Sequence, residues 1–208
     1  MAGTSAERVS GGANAIVLAA GLGALALAVL CLALAGTDQQ GTALGLRATA
    51  LFSFPFLAGA YAASPLATLW PGEVSEWLLH RRRALGLAFF AAFAVHLVLI
   101  VHLLSLPPDP PPKVLGLAPG IFTYAVLAAM MAVSLRRVSK AIGPARARRL
   151  LGLGLHWVFA FFTLALFKGV FVRHYYAWWL GPSMIAMAVY AMRLIAWRHT
   201  SRPEGALT

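Results

Sequence analysis

The sequence predicts an all-α polytopic membrane protein, a six-transmembrane-helix bundle with both N and C termini in the cytoplasm. Three observations predict it. Of the 208 residues, 61% are hydrophobic and only 11% charged, whereas a soluble domain carries about 25% charged residues. The apolar residues fall into six runs close to the roughly 20 residues a helix needs to cross a bilayer. The basic residues gather in short segments beside those runs, the pattern of topology signals and lipid-headgroup contacts.

Residues 1–13 are small and polar and read as a mobile N-terminal tail. The first span, about 15–35, is continuously apolar. It exceeds the roughly 7–15 residues of a signal-peptide core, so it reads as a retained span, although Ala33-Leu34-Ala35-Gly36 resembles a cleavage site. It contains Cys31, the one cysteine, which excludes an internal disulfide, an iron–sulfur cluster and a cysteine-based zinc site. After a polar turn at 37–42 the second span covers about 44–69 and carries Pro55 and Pro65. Prolines are tolerated in a span where neighbours satisfy the carbonyls they free, and a kink is expected. Trp70-Pro71-Gly72 ends it, and residues 73–80 read as a short interfacial linker.

The third span, about 84–106, follows Arg81-Arg82-Arg83. Residues 107–112, PPDPPP, mostly lack amide donors and cannot continue a helix, so they read as a stiff extended loop. The fourth span is about 114–135, and residues 136–149 form a basic loop with a Gly-Pro break. The fifth span is about 150–170, an interfacial aromatic cluster follows at 174–179, and the sixth span is about 180–197. Residues 199–208 read as a C-terminal tail.

Of the seventeen lysines and arginines, only Arg47, Lys113, Lys168 and Arg173 fall on the side away from the termini. The other thirteen share a side, and the positive-inside rule places that side in the cytoplasm of a bacterial inner (plasma) membrane. The net charge of +11 is thus read as topology and lipid contact, and nucleic acid is not an expected partner.

Six histidines offer the chemistry. His80 and His199 lie beside arginines at the cytoplasmic face, and His174 lies beside Tyr175 and Tyr176 at the outer face. His96, His102 and His156 lie within spans, where ionisable groups are rare and by default functional. The plainer reading of each is a packing residue bonded to a backbone carbonyl. All six acidic residues lie outside the spans, which argues against a carboxylate-lined ion path or a di-metal site. Neutral imidazoles in an apolar bundle suit haem, a flat apolar cofactor held by axial histidines. Phe89, Phe90, Phe93, Trp157, Phe159, Phe161 and Phe162 flank His96 and His156. His96 and His102 are six residues apart, about 120° around the helix, so they do not face one cofactor together. His96 lies thirteen residues past Arg83, about 20 Å, and His156 lies seven past Arg149, about 10 Å.

Several of these stretches resemble the ferric-reductase-like transmembrane superfamily, most closely its MsrQ (YedZ)-type haem-binding membrane subunits. Arg82-Arg83-Ala84-Leu85-Gly86-Leu87 with Val95-His96-Leu97 resembles the family's third span, Leu155-His156 its fifth, and Ala63-Ser64-Pro65-Leu66 its Thr-Pro-Leu near the second. The resemblance covers roughly residues 44–197. It implies a b-type haem protein, an oxidoreductase subunit for electron transport. Electrons would come from quinol or a cytoplasmic flavin partner and pass toward an outer-face (periplasmic) redox partner. Carried over by position, His96 and His156 match axial ligands of the haem iron, and Arg82 and Arg83 match a basic pair that meets propionates. The family has a further histidine thirteen residues after the fifth-span one, where this chain has Gly169. One haem rather than two is therefore expected, with His102 and His174 as secondary candidates for an outer ligand. The chain carries no glycine-rich nucleotide fingerprint, so flavin or pyridine-nucleotide chemistry would belong to a partner. The alternative is a haem-free multi-span scaffold or assembly factor.

Overall fold

A computed structural model describes residues 5–107, 114–172 and 176–200, and every regular element among them is an α-helix. The order is α1 (Ser5–Ala35), α2 (Gln39–Leu69), α3 (Glu73–Ser105), α4 (Val114–Ser134), α5 (Arg136–Ile142), α6 (Pro144–Phe171) and α7 (Tyr176–Thr200). Five of these helices are long and apolar enough to cross a membrane, over Gly12–Ala35, Gln39–Leu69, Glu73–Ser105, Pro144–Phe171 and Trp178–His199. Ala118–Ser134 in α4 is a shorter apolar helix. The chain is therefore a multi-pass membrane protein.

The helices run past the apolar stretches that define the spans. Residues 5–13, expected as tail, are the opening turns of α1, and residues 73–80, expected as a linker, open α3. At 33 residues α3 is about 50 Å long, well beyond a hydrocarbon core of about 30 Å. Its polar first turns extend into the aqueous side. Ser75 starts it, accepting from the Gly72 amide at 3.0 Å while its hydroxyl donates to the Gly72 carbonyl. The basic loop also holds helix: α5 ends at Gly143, whose φ of 86° suits glycine, and Pro144 occupies the first turn of α6. The proline-rich loop at 108–113 and His174 lie outside the described residues.

The helices gather into two compact units. One comprises α1, α2, α3 and residues 184–200 of α7. Its close packing comes from stripes of small residues at four-residue spacing: Ala20, Ala24 and Ala28 on α1, and Ala84, Ala88 and Ala92 on α3, all buried. Lipid is as apolar as leucine, so membrane helices associate through such small residues, which let backbones approach. Gly36 (φ 89°) ends α1, and Asp38 caps α2 by accepting from the Gly41 amide at 2.9 Å. A Cβ at Gly41 would overlap the Gly36 carbonyl, so this turn requires glycine there.

The other unit comprises α4, α5, α6 and residues 176–183 of α7. Gly154 on α6 makes room for Met130 of α4, and Trp157 Nε1 donates to Thr123 Oγ1 at 3.2 Å. Phe122 meets the Trp157 ring edge-on at 4.8 Å. Gly169 lies under the Trp179 indole, which would stand 2.7 Å from a Cβ there. The histidine of the resembled family thus finds its position in this chain occupied by a tryptophan ring.

Candidate functional site

His96 stands on a ladder of rings. Residues four and three apart share a helix face, and Phe89, Phe93 and His96 follow that spacing. Phe89 and Phe93 stack at 5.2 Å, and Phe93 and His96 stack at 4.8 Å with only 11° between their planes. Both phenylalanines are buried. Stacking fixes the plane of the imidazole, and a hydrogen bond to α2 fixes its rotation: Nδ1 lies 3.0 Å from Thr49 Oγ1.

The hydroxyl geometry assigns the tautomer. Thr49 has one hydroxyl proton, and its oxygen lies 2.8 Å from the Gly45 carbonyl and 3.3 Å from that of Leu46. Both carbonyls can only accept, so the proton points along α2, the usual back-bond of threonine in a helix. Thr49 Oγ1 then accepts from His96 Nδ1–H. In this tautomer Nε2 retains the lone pair. A metal-ligating histidine characteristically gives its other ring N–H to a fixed acceptor, which sets both tautomer and orientation.

His156, in the other unit, shows the same chemistry by a local route. Its Nδ1 lies 2.6 Å from the Gly152 carbonyl one turn earlier on α6. A carbonyl only accepts, so Nδ1 carries the proton and Nε2 is the basic nitrogen. The ring is exposed on its own helix. His102 differs: its Nε2 donates to the Thr37 carbonyl at 3.1 Å, tying the end of α3 to the α1–α2 turn. Its Nε2 is protonated and committed, which is the packing role weighed for it from the sequence.

The arginine pair divides its work. Arg82 Nε donates to the Ala60 carbonyl at 3.1 Å and Nη1 donates to Ser64 Oγ at 3.0 Å. Arg83 is exposed and lines a cavity between α1 and α3. Arg82 and His96 are fourteen residues apart on α3, about 21 Å. With the guanidinium tethered to α2, that separation exceeds what the carboxylate arms of a porphyrin on His96 could bridge. In this structure the Arg82 guanidinium is engaged by α2.

The same region of α2 explains Pro65. A helical proline supplies no N–H to the carbonyl four residues earlier, here that of Tyr61. Arg193 of α7 donates to that carbonyl through Nη1 at a long 3.4 Å, with its guanidinium 4.4 Å from the Tyr61 ring centre. Tyr190 meets the same ring edge-on at 5.9 Å. Two arginines from two helices therefore hold the proline-bearing end of α2. Sequence reading anticipated that neighbours would serve the freed carbonyl but did not name Arg193 or Thr49. Their signals were present: a lone cation within the last apolar run, and a threonine within the second.

Among the described residues, no group of three or more His, Cys, Asp or Glu side chains is placed to hold a metal ion. Comparison of the chain with family models, curated proteins and solved structures gave no match.

Proposed function

We propose that the chain is an inner-membrane b-type haem protein of the ferric-reductase-like kind. It relays electrons from quinol or a flavin-bearing partner toward an acceptor on the outer face. The observation that carries the reading is the state of His96: an intramembrane imidazole with its Nδ1–H held by Thr49 and its plane held by Phe93, the tautomer in which Nε2 is the basic nitrogen. A six-span topology with cytoplasmic termini completes the reading. The 21 residues of α4 make a helix about 31 Å long, enough for a sixth crossing, and the distribution of basic residues sets the orientation.

Haem, when bound, supplies reversible one-electron chemistry at its iron. The chain's own residues do the rest. Thr49 holds the proton of His96 on Nδ1, so the nitrogen facing away from α2 is always the ligating one. Phe89 and Phe93 keep the ring from turning and line its surroundings with apolar surface. The resemblance offers His156 as a further ligand, and its Nδ1–H is held by the Gly152 carbonyl. The spans hold no carboxylate that would compete for an imidazolium. With Gly169 under Trp179, the fifth span offers no second ligand at that level, and one haem per chain follows.

The test is a visible spectrum of detergent-purified, haem-supplemented protein. A Soret band with one haem per chain is expected, lost in His96→Ala and weakened or lost in His156→Ala. Absence of the band, or an unchanged band in His96→Ala, overturns the proposal. One observation favours a second reading, a haem-free scaffold: the His96–Thr49 bond also joins α3 to α2, as a purely structural interhelical bond would. A colourless protein whose His96→Ala variant only loses thermal stability would establish that reading.

A further inference from the structure

The cavity between α1 and α3 points to a ligand that the haem proposal does not involve. The two helices touch where a Cβ at Gly21 would meet that of Ala91 at 3.5 Å. Toward the arginine end of α3 they part and leave a space of about 640 Å³, within the range of small-molecule sites. The lining is divided by chemistry. Val17, Ala84 and Leu87 contribute apolar surface, while His80, Arg81 and Arg83 contribute basic groups, and no carboxylate is in the lining among the described residues.

Arg81 lies over the Trp77 ring at 5.1 Å, and its two terminal nitrogens lie 3.6 Å from where a Cβ of Gly12 would stand. The guanidinium thus lies between an indole of α3 and the backbone of α1 at Gly12. A guanidinium in a cavity lined by a second arginine suits the oxygens of a phosphate, which it meets with paired N–H donors. The apolar surface suits a hydrocarbon chain. Basic groups and apolar surface in one cavity are the complement of an amphiphile with an anionic phosphate head. The site lies at the aqueous end of an arginine-anchored span, the level at which headgroups lie.

We propose that this cavity binds one anionic phospholipid, with the phosphate at Arg81 and Arg83 and an acyl chain against Val17 and Leu87. The ligand class comes from the division of the lining, and free inorganic phosphate is the other source of the same head chemistry.

Trp77 makes the site readable. Brominated lipids quench tryptophan on contact, and the difference between the wild type and Trp77→Phe isolates the Trp77 signal. In neutral detergent, brominated phosphatidylglycerol should quench Trp77 at tenfold or lower concentration than brominated phosphatidylcholine. The double variant Arg81→Gln/Arg83→Gln should abolish that preference. Val17→Phe, which fills apolar space without changing charge, should weaken quenching by both lipids. Arg148→Gln/Arg149→Gln, an equal loss of charge elsewhere, should leave the preference intact. Four results would overturn the proposal: equal quenching by the two lipids, an unchanged response in Val17→Phe, an equal effect of the Arg148/Arg149 pair, or displacement of the lipid by millimolar inorganic phosphate. If the double arginine variant does not fold, Val17→Phe still decides, because it alone tests the acyl end.

Discussion

Replacing Thr49 by valine keeps the shape of the side chain and removes the acceptor for His96 Nδ1–H. The lost bond is neutral, partly buried and 3.0 Å long. Interhelical hydrogen bonds of this kind in membranes average about 0.6 kcal/mol, which corresponds to a melting shift of about 2 °C in a chain of this size. The effect on a ligand would be larger. Without Thr49 the ring can move its proton to Nε2 and lose the lone pair that faces away from α2, and it can also swing on χ2. Loss of such a supporting bond typically lowers metal affinity 10–100-fold, about 1.4–2.7 kcal/mol. The prediction is therefore a dissociation of two readouts. Haem titration followed at the Soret band should show 10–100-fold weaker binding in Thr49→Val, while thermal unfolding of the haem-free protein moves by about 2 °C. Thr49→Ser, which keeps the hydroxyl, should bind haem nearly as the wild type does. Wild-type haem affinity in Thr49→Val would refute the assignment of Thr49 as the group that positions His96.

Four further outcomes are expected. Arg193→Met removes both the guanidinium over Tyr61 and the donor to its carbonyl, and should cost about 1–3 kcal/mol in detergent unfolding. Much of that loss should vanish in a Pro65→Ala background, where the helix supplies its own N–H, so an equal loss in both backgrounds refutes the pairing. Gly41→Ala places a Cβ on the Gly36 carbonyl and should destabilise by about 1–3 kcal/mol, in the range of overpacked sites. In the same unfolding assay, a change below a few tenths of a kcal/mol contradicts the turn geometry. Gly169→His should lower the melting temperature by displacing Trp179 and should leave haem per chain unchanged, as pyridine haemochromogen assay would report. In a Cys31→Ser background, cysteines at Ser105 and Ser139 should react with a membrane-impermeant thiol reagent from opposite sides of the membrane, and labelling from one side would refute the topology.

The membrane class and the approximate spans were legible in the sequence because hydropathy and charge segregation need no knowledge of tertiary contacts. Helix ends were less so, since a helix can outlast the bilayer. Residues 73–80 contain no breaker, and the Gly72–Ser75 exchange of hydrogen bonds starts α3 there, a capping signal outweighed by the polarity of EVSEWLLH. His96 was selected by rotation around α3 and by the rarity of intramembrane histidine. Its partner could not be, because Thr49 lies 47 residues away and only the packing of α2 on α3 brings the two together. The tie between Arg193 and Tyr61 spans 132 residues. His102 was equally balanced between two roles, and its contact with the Thr37 carbonyl, 65 residues away, was not legible in the sequence. Arg82 shows the limit of carry-over by position: its motif matches a family's basic pair, yet its guanidinium is tethered to Ala60 and Ser64.

Pro65 bears on how the chain is made. An amide oxygen facing hydrocarbon without a donor is unfavourable by several kcal/mol, and the intramolecular donor that α7 gives the Tyr61 carbonyl arrives only when residue 193 has been synthesised. Until then the second helix is a provisional resident of the bilayer, suited to waiting at the interface or against an insertion chaperone. The last helix acts as a latch on the second, so biogenesis of the α1–α3 unit finishes at its carboxyl end. Ribosome-stalled intermediates shorter than this point should remain extractable by alkali, and those extending past it should not.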